Sequence, residues 1–175
     1  MLTPRKISLA LCLLVVIFIF AGCWASKFTL IPADQAKMNR AYLGDWDAVN
    51  VKGNHSVIFI RNLDDKQYYV ETHTTGDDGK DQVSRYVGFL ANIKAATFAH
   101  VRPIQDDGNV ADQWLLMRVE LTGDKMIIRQ FSDEFFKAKT IDSAEQLRRV
   151  IEENMGNDHM YGKDETVTAT RVATK

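Results

Sequence analysis

The sequence predicts a mostly β protein, an antiparallel meander of about eight strands forming a barrel or a strongly curved sheet, with one amphipathic helix before the last strand. Three observations carry this. Over residues 42–131, short runs rich in Val, Ile, Tyr, Phe and Thr alternate with clusters of Gly, Asp, Asn and Lys, the pattern of strands joined by tight turns. After Phe131 the period changes and apolar residues recur at helical spacing. A β-branched run over 166–172 then returns to strand character.

In chain order, a basic head of Arg5 and Lys6 precedes an uncharged apolar run over residues 7–20, followed by Phe20-Ala21-Gly22-Cys23. Small residues directly before a cysteine, behind such a head and core, make a secretory signal ending in a lipobox. The run holds about 14 residues, whereas a bilayer-spanning helix takes roughly 20. The alternative is an uncleaved anchor helix over residues 7–24. The positive head stays on the cytoplasmic side, the apolar core enters the membrane, and small side chains let a peptidase reach the backbone. Residues 1–23 resemble the signal of bacterial lipoproteins. That resemblance implies cleavage between Gly22 and Cys23, and a diacylglyceryl group on the Cys23 sulfur. It also implies residence in the cell envelope, with Trp rather than Asp at position 24 implying the outer membrane, facing the periplasm. Three regions follow: a signal peptide (1–22), a lipidated N-terminus and tether (23–40) and a β-barrel-like domain (41–175).

Strands are expected at residues 42–51, 57–62, 67–74, 83–93, 97–102, 114–121, 126–131 and 166–172. The turns between the first seven include Lys52-Gly53-Asn54-His55, Leu63-Asp64-Asp65-Lys66 and Thr122-Gly123-Asp124-Lys125, rich in residues that tolerate positive φ or bond their own backbone. In the sixth strand Leu115, Met117, Val119 and Leu121 share one face while Leu116, Arg118 and Glu120 share the other, so one face should meet a core and the other mostly water. Ser132-Asp133-Glu134 can start a helical turn carrying Phe135 and Phe136. Ser143-Ala144-Glu145-Gln146 matches a capping box ahead of Leu147, Val150 and Ile151, giving a helix over 143–155 with Gly156 placed to stop it.

Eight consecutive antiparallel strands favour closure, which removes exposed edges. Leu43-Gly44-Asp45-Trp46 opens the first of them. Gly-x-Trp at that place resembles the opening motif of lipocalins and related small barrels, which implies a lipocalin-like fold and makes Arg171 of the last strand a partner for Trp46. Gly44, Trp46 and Arg171 are thus expected as a structural motif, with the Arg171 guanidinium on the indole face or, alternatively, pointing to solvent from an edge strand.

Composition narrows the function. The chain has 175 residues, 22 basic and 23 acidic, and removal of residues 1–22 leaves 20 basic side chains, a net charge of −3. No basic patch points to nucleic acid. Cys12 lies in the signal, so Cys23 is the sole cysteine of the processed chain, and neither an internal disulfide nor a cysteine metal site is expected. His55, His73, His100 and His159 lack the spacing of a metal site. Asp77-Asp78-Gly79-Lys80-Asp81 lacks the alternating oxygens of a calcium loop and reads as a hairpin turn. Asp106-Asp107-Gly108-Asn109 reads the same way, in a longer loop bordering a binding mouth. Asn54-His55-Ser56 has the form of a glycosylation sequon, which carries little meaning in a bacterial lipoprotein. Nucleophile elbows and phosphate-binding glycine loops are missing.

The expectation is therefore a non-catalytic, lipid-anchored envelope protein without cofactor or metal. It attaches to the membrane through its lipid and binds a small apolar ligand or another envelope protein. The alternatives are an interaction or inhibitor module with a filled core and a hydrolase assembled without local motifs. The aromatic residues Tyr68, Tyr69, Tyr86, Phe89, Phe98 and Trp114 are expected to fill the barrel, or else to line an apolar pocket.

Overall fold

A computed structural model describes residues 24–76 and 79–173. Its strands are β1 (Ala25–Ser26), β2 (Gly44–Asn50), β3 (His55–Asn62), β4 (Tyr68–Thr75), β5 (Asp81–Ile93), β6 (Ala96–Ile104), β7 (Trp114–Thr122), β8 (Lys125–Phe131) and β9 (Tyr161–Arg171). Helices α1 (Asp133–Lys137) and α2 (Ala144–Asn154) lie between β8 and β9. Each strand from β2 to β8 pairs antiparallel with the next, and β9 pairs with both β8 and β2. That second pairing closes an eight-stranded barrel and leaves no free edge in it. The lipocalin-like barrel expected from the sequence is the architecture found, with the helices before the last strand.

The meander puts the β2–β3 and β4–β5 turns and the β6–β7 loop at one end, the open end. The β3–β4, β5–β6 and β7–β8 turns lie at the other, the closed end. The period-two pleat sends alternate side chains inward and outward. Tyr68, Val70, Thr72 and Thr74 of β4 face the interior, as do Met117 and Val119 of β7. On the outer wall Ile93, Phe98, Leu116 and Phe131 are buried beneath Phe136 of α1 and Leu147 and Ile151 of α2. The domain thus has two apolar clusters, one inside the barrel around Trp46, Ile58, Ile60 and Met126, the other between wall and helices.

Several expectations are corrected in detail. The outer face of β7 does not meet mostly water, because Leu116 is buried under the helices and Arg118 donates to Met155 O and Tyr161 OH. The last strand starts at Tyr161 rather than 166: pairing of Tyr161 with Phe131 across a bulge overrides the weak strand propensity of Gly162 to Glu165. In α2 Ser143 caps by accepting from Gln146 N, while the Gln146 side chain accepts from Asp142 N, one residue beyond the reciprocal bond of a capping box. The helix ends with Asn154 Nδ2 donating to Val150 O, and Gly156 does not take the positive φ of a glycine stop.

The segment expected to be a tether is a strap on the wall. Trp24 N donates to Phe131 O and its ring stacks on Phe136, with centroids 4.3 Å apart. Next, β1 extends the sheet alongside β7, where β8 has left it. Leu30 is buried and its N–H donates to His100 Nε2 at 3.0 Å. The strap ends where Tyr68 OH bonds both backbone groups of Asn39 and a 3-10 turn, Arg40–Tyr42, leads into β2. Nothing in composition announces this path, since each contact lies tens of residues away in the chain.

Candidate functional site

The barrel holds a cavity of about 880 Å³, within the range of roughly 300 to 1,000 Å³ typical of ligand sites. Its lower walls are aliphatic: Ile58, Ile60, Val70, Leu90, Val119, Met126, Ile128 and Val167. The strands that supply them become polar toward the open end. β3 runs from Ile60 through Ile58 to Ser56, and β4 from Val70 through Thr72 to Thr74. Asn50, Lys52, His55, Gln82, Gln130 and Glu165 complete the rim. Ala99 lines the cavity where a larger side chain would occupy the lumen, while Ala48 and Ala169 face inward and are fully buried in the cluster of Trp46 and Met126. Gly88 also lines the cavity, and a Cβ there would stand 2.3 Å from the His100 carbonyl oxygen, so glycine permits the close approach of β5 to β6.

The closed end is built from Gly44, Trp46 and Arg171. Trp46 and Arg171 are register partners in the β2–β9 pair, and the Arg171 Cζ lies 4.2 Å from the indole centroid. Arg171 also donates from Nη1 to Leu43 O, from Nη2 to Ala41 O and from Nε to Asp124 Oδ1. Trp46 is fully buried, with Nε1 donating to Tyr42 O at 3.1 Å. A side chain at position 44 would put its Cβ 2.6 Å from Arg171 Nη1, and φ there is +138°, so glycine serves both conformation and space. The guanidinium thus ties the 3-10 turn to the last strand, and Tyr42 becomes part of the cavity floor. Burial raises the phenol pKa values of Tyr42 and Tyr68, keeping both neutral hydrogen-bonding groups at ordinary pH.

At the rim, Glu165 Oε2 is buried without a hydrogen-bond partner. Desolvation raises the Glu165 pKa against the opposing pull of Lys52, with Asp133 and Asp164 raising it further. An elongated molecule with an apolar body would thus find aliphatic walls below and donors, acceptors and both charge signs around its outer end. Neither a protein-family model nor a curated protein matches the chain.

The other sequence candidates are dispersed. Of the six aromatic residues expected inside, Tyr68 and Tyr86 point into the barrel; Phe89 borders the cavity between Gly88 and Leu90, but its ring stacks on His100. The pleat puts Tyr69, Phe89, Phe98 and Trp114 on the outer wall, where Phe98 packs under the helices and Phe89 and Trp114 surround His100. His100 is fully buried, stacked on Phe89 at 4.8 Å, and burial lowers its pKa to about 3. Its Nε2 accepts from Leu30, so the ring is neutral with the proton on Nδ1. His55 sits at the rim, His73 on the outer wall against Glu71, and His159 in an exposed turn. Asp107 caps its own turn by accepting from Asn109, and that loop does not line the cavity. Asp77 and Asp78 lie outside the described residues, as do Gly22, Cys23 and the whole signal segment. Among the described residues no helix is long and apolar enough to cross a membrane. The rim residues Gln130 and Glu165 carry no motif; their only sequence signals were the alternations Met126, Ile128, Gln130 in β8 and Glu165, Val167, Ala169, Arg171 in β9.

Proposed function

We propose that this is a lipid-anchored, non-catalytic envelope protein, attached through Cys23, whose barrel carries a small apolar or amphiphilic molecule. The observation that supports carriage over an interaction module with a filled core is the cavity itself, about 880 Å³, aliphatic below and polar at its rim. Burial of hydrocarbon is worth about 0.8 kcal/mol per methylene, so a chain of ten methylenes would gain roughly 8 kcal/mol before the costs of association. The anchor reading rests on Arg5, Lys6, the apolar run and Gly22-Cys23. Native mass spectrometry of the protein purified from cells tests carriage directly. A retained mass of a few hundred daltons is expected, lost when Val119→Trp fills the lumen. A preparation that stays ligand-free and takes up no fatty acid, lysophospholipid or sterol overturns the reading.

A further inference from the structure

We infer that the mouth of the cavity faces the membrane that holds the protein, so that the rim meets a lipid surface and the cavity exchanges its occupant with that bilayer. This orientation rests on the anchor reading of Cys23 and deepens the carrier reading by naming the partner surface.

Tether length sets the orientation. Trp24 is fixed twice, by its N–H to Phe131 O at 3.4 Å and by its stack on Phe136. Cys23 is the preceding residue, and consecutive Cα atoms are about 3.8 Å apart. Phe131 is the last residue of β8 at the open end, and Gln130 beside it lines the cavity. Two backbone steps and one hydrogen bond therefore connect an acylated Cys23 to the rim. The closed end lies a strand length away, about 26 Å for the eight residues of β3. A long flexible tether would let the barrel tumble on its anchor; this one leaves no slack. The longer helix does not obstruct the open end, because Leu147 and Ile151 of α2 pack with Ile93, Phe98 and Leu116 of the side wall.

The test uses the full chain, reconstituted in phosphatidylethanolamine–phosphatidylglycerol vesicles that contain headgroup-nitroxide lipid. An environment-sensitive fluorophore is attached to Lys52→Cys at the rim or to Asp65→Cys in the closed-end turn, both exposed positions. Quenching should be several-fold stronger at position 52. Insertion of a Gly-Ser linker of about twelve residues between Cys23 and Trp24, with a root-mean-square reach of roughly 20 Å, should bring the two positions to parity. Equal or reversed quenching in the parent chain overturns the orientation, and a difference that survives the linker overturns the tether as its cause. Intact mass of the same preparation reports acylation separately. An unprocessed chain held by its apolar run enters at the same Trp24 and makes the same quenching prediction, whereas a chain neither acylated nor membrane-bound refutes the anchor reading and the orientation together.

Discussion

Replacing Arg171 by lysine keeps the charge and removes the planar fork that closes the barrel. In the parent protein the guanidinium bonds the carbonyls of Leu43 and Ala41 and stacks on Trp46, with the side chain 27% exposed. A lysine ammonium can replace one of these carbonyl bonds but neither the second nor the stack. A charged hydrogen bond contributes about 1.5 to 3 kcal/mol and a partly desolvated cation–π contact about 0.5 to 2 kcal/mol. The Asp124 pair adds little, since that carboxylate is 78% exposed. Arg171→Lys should therefore cost about 2 to 4 kcal/mol in urea unfolding followed by far-ultraviolet circular dichroism, with an unchanged denaturant slope. In a Trp46→Phe background the same substitution should cost about 1 kcal/mol less, the coupling of a direct contact. A loss below about 0.5 kcal/mol, or an identical loss in both backgrounds, would refute the account of the closed end.

Leu147 is fully buried between α2 and the wall, so Leu147→Ala should cost about 2 to 5 kcal/mol in the same assay; a loss near zero would mean that the helix does not hold the wall. Because Cys23 is the sole lipid acceptor in the lipobox reading, Cys23→Ala should abolish incorporation of labelled fatty acid, and continued labelling would disprove that reading. His100 has a folded pKa of about 3 against an ordinary 6.5, so the unfolded chain binds the extra proton. Its contribution is complete above pH 6.5 and is lost as pH falls from 6.5 toward 3, with a slope of up to about 1.4 kcal/mol per pH unit. His100→Gln should flatten stability in that window, and an unchanged acid limb in unfolding curves from about pH 7 to 4 would show that the histidine does not carry it. Protonation also removes the acceptor for Leu30 N–H, so hydrogen exchange at Leu30 should quicken with acid in the parent.

The resemblance carried by Gly44-x-Trp46 and Arg171 led to a specific contact because such a motif encodes a geometric need: a glycine where an arginine crosses, and an indole beneath it. The strands were legible because turn residues and β-branched runs mark them locally. His100 shows the opposite case. As a lone histidine in a strand it had no local signal, and its role comes from Leu30, 70 residues earlier. The strap from Trp24 to Asn39 reads as a tether in sequence for the same reason: its bonds to Phe131, His100 and Tyr68 connect positions that no periodicity relates.

Pattern along the chain was thus sufficient for the class of fold, the order of its strands and the helix before the last of them, because period, caps and turn chemistry are properties of neighbouring residues. Alternation separated the faces in the strand of Met117 and Val119 but did not say which face of most other strands turns inward, and Phe89, Phe98 and Trp114 were expected inside a barrel whose wall they cover from outside. Nor could it say whether the barrel is full. A cavity is the difference between the volume that eight closed strands enclose and the volume their inward side chains occupy, and that difference exists only once register has turned residues such as Gly88, Ala99 and Val119 toward the lumen.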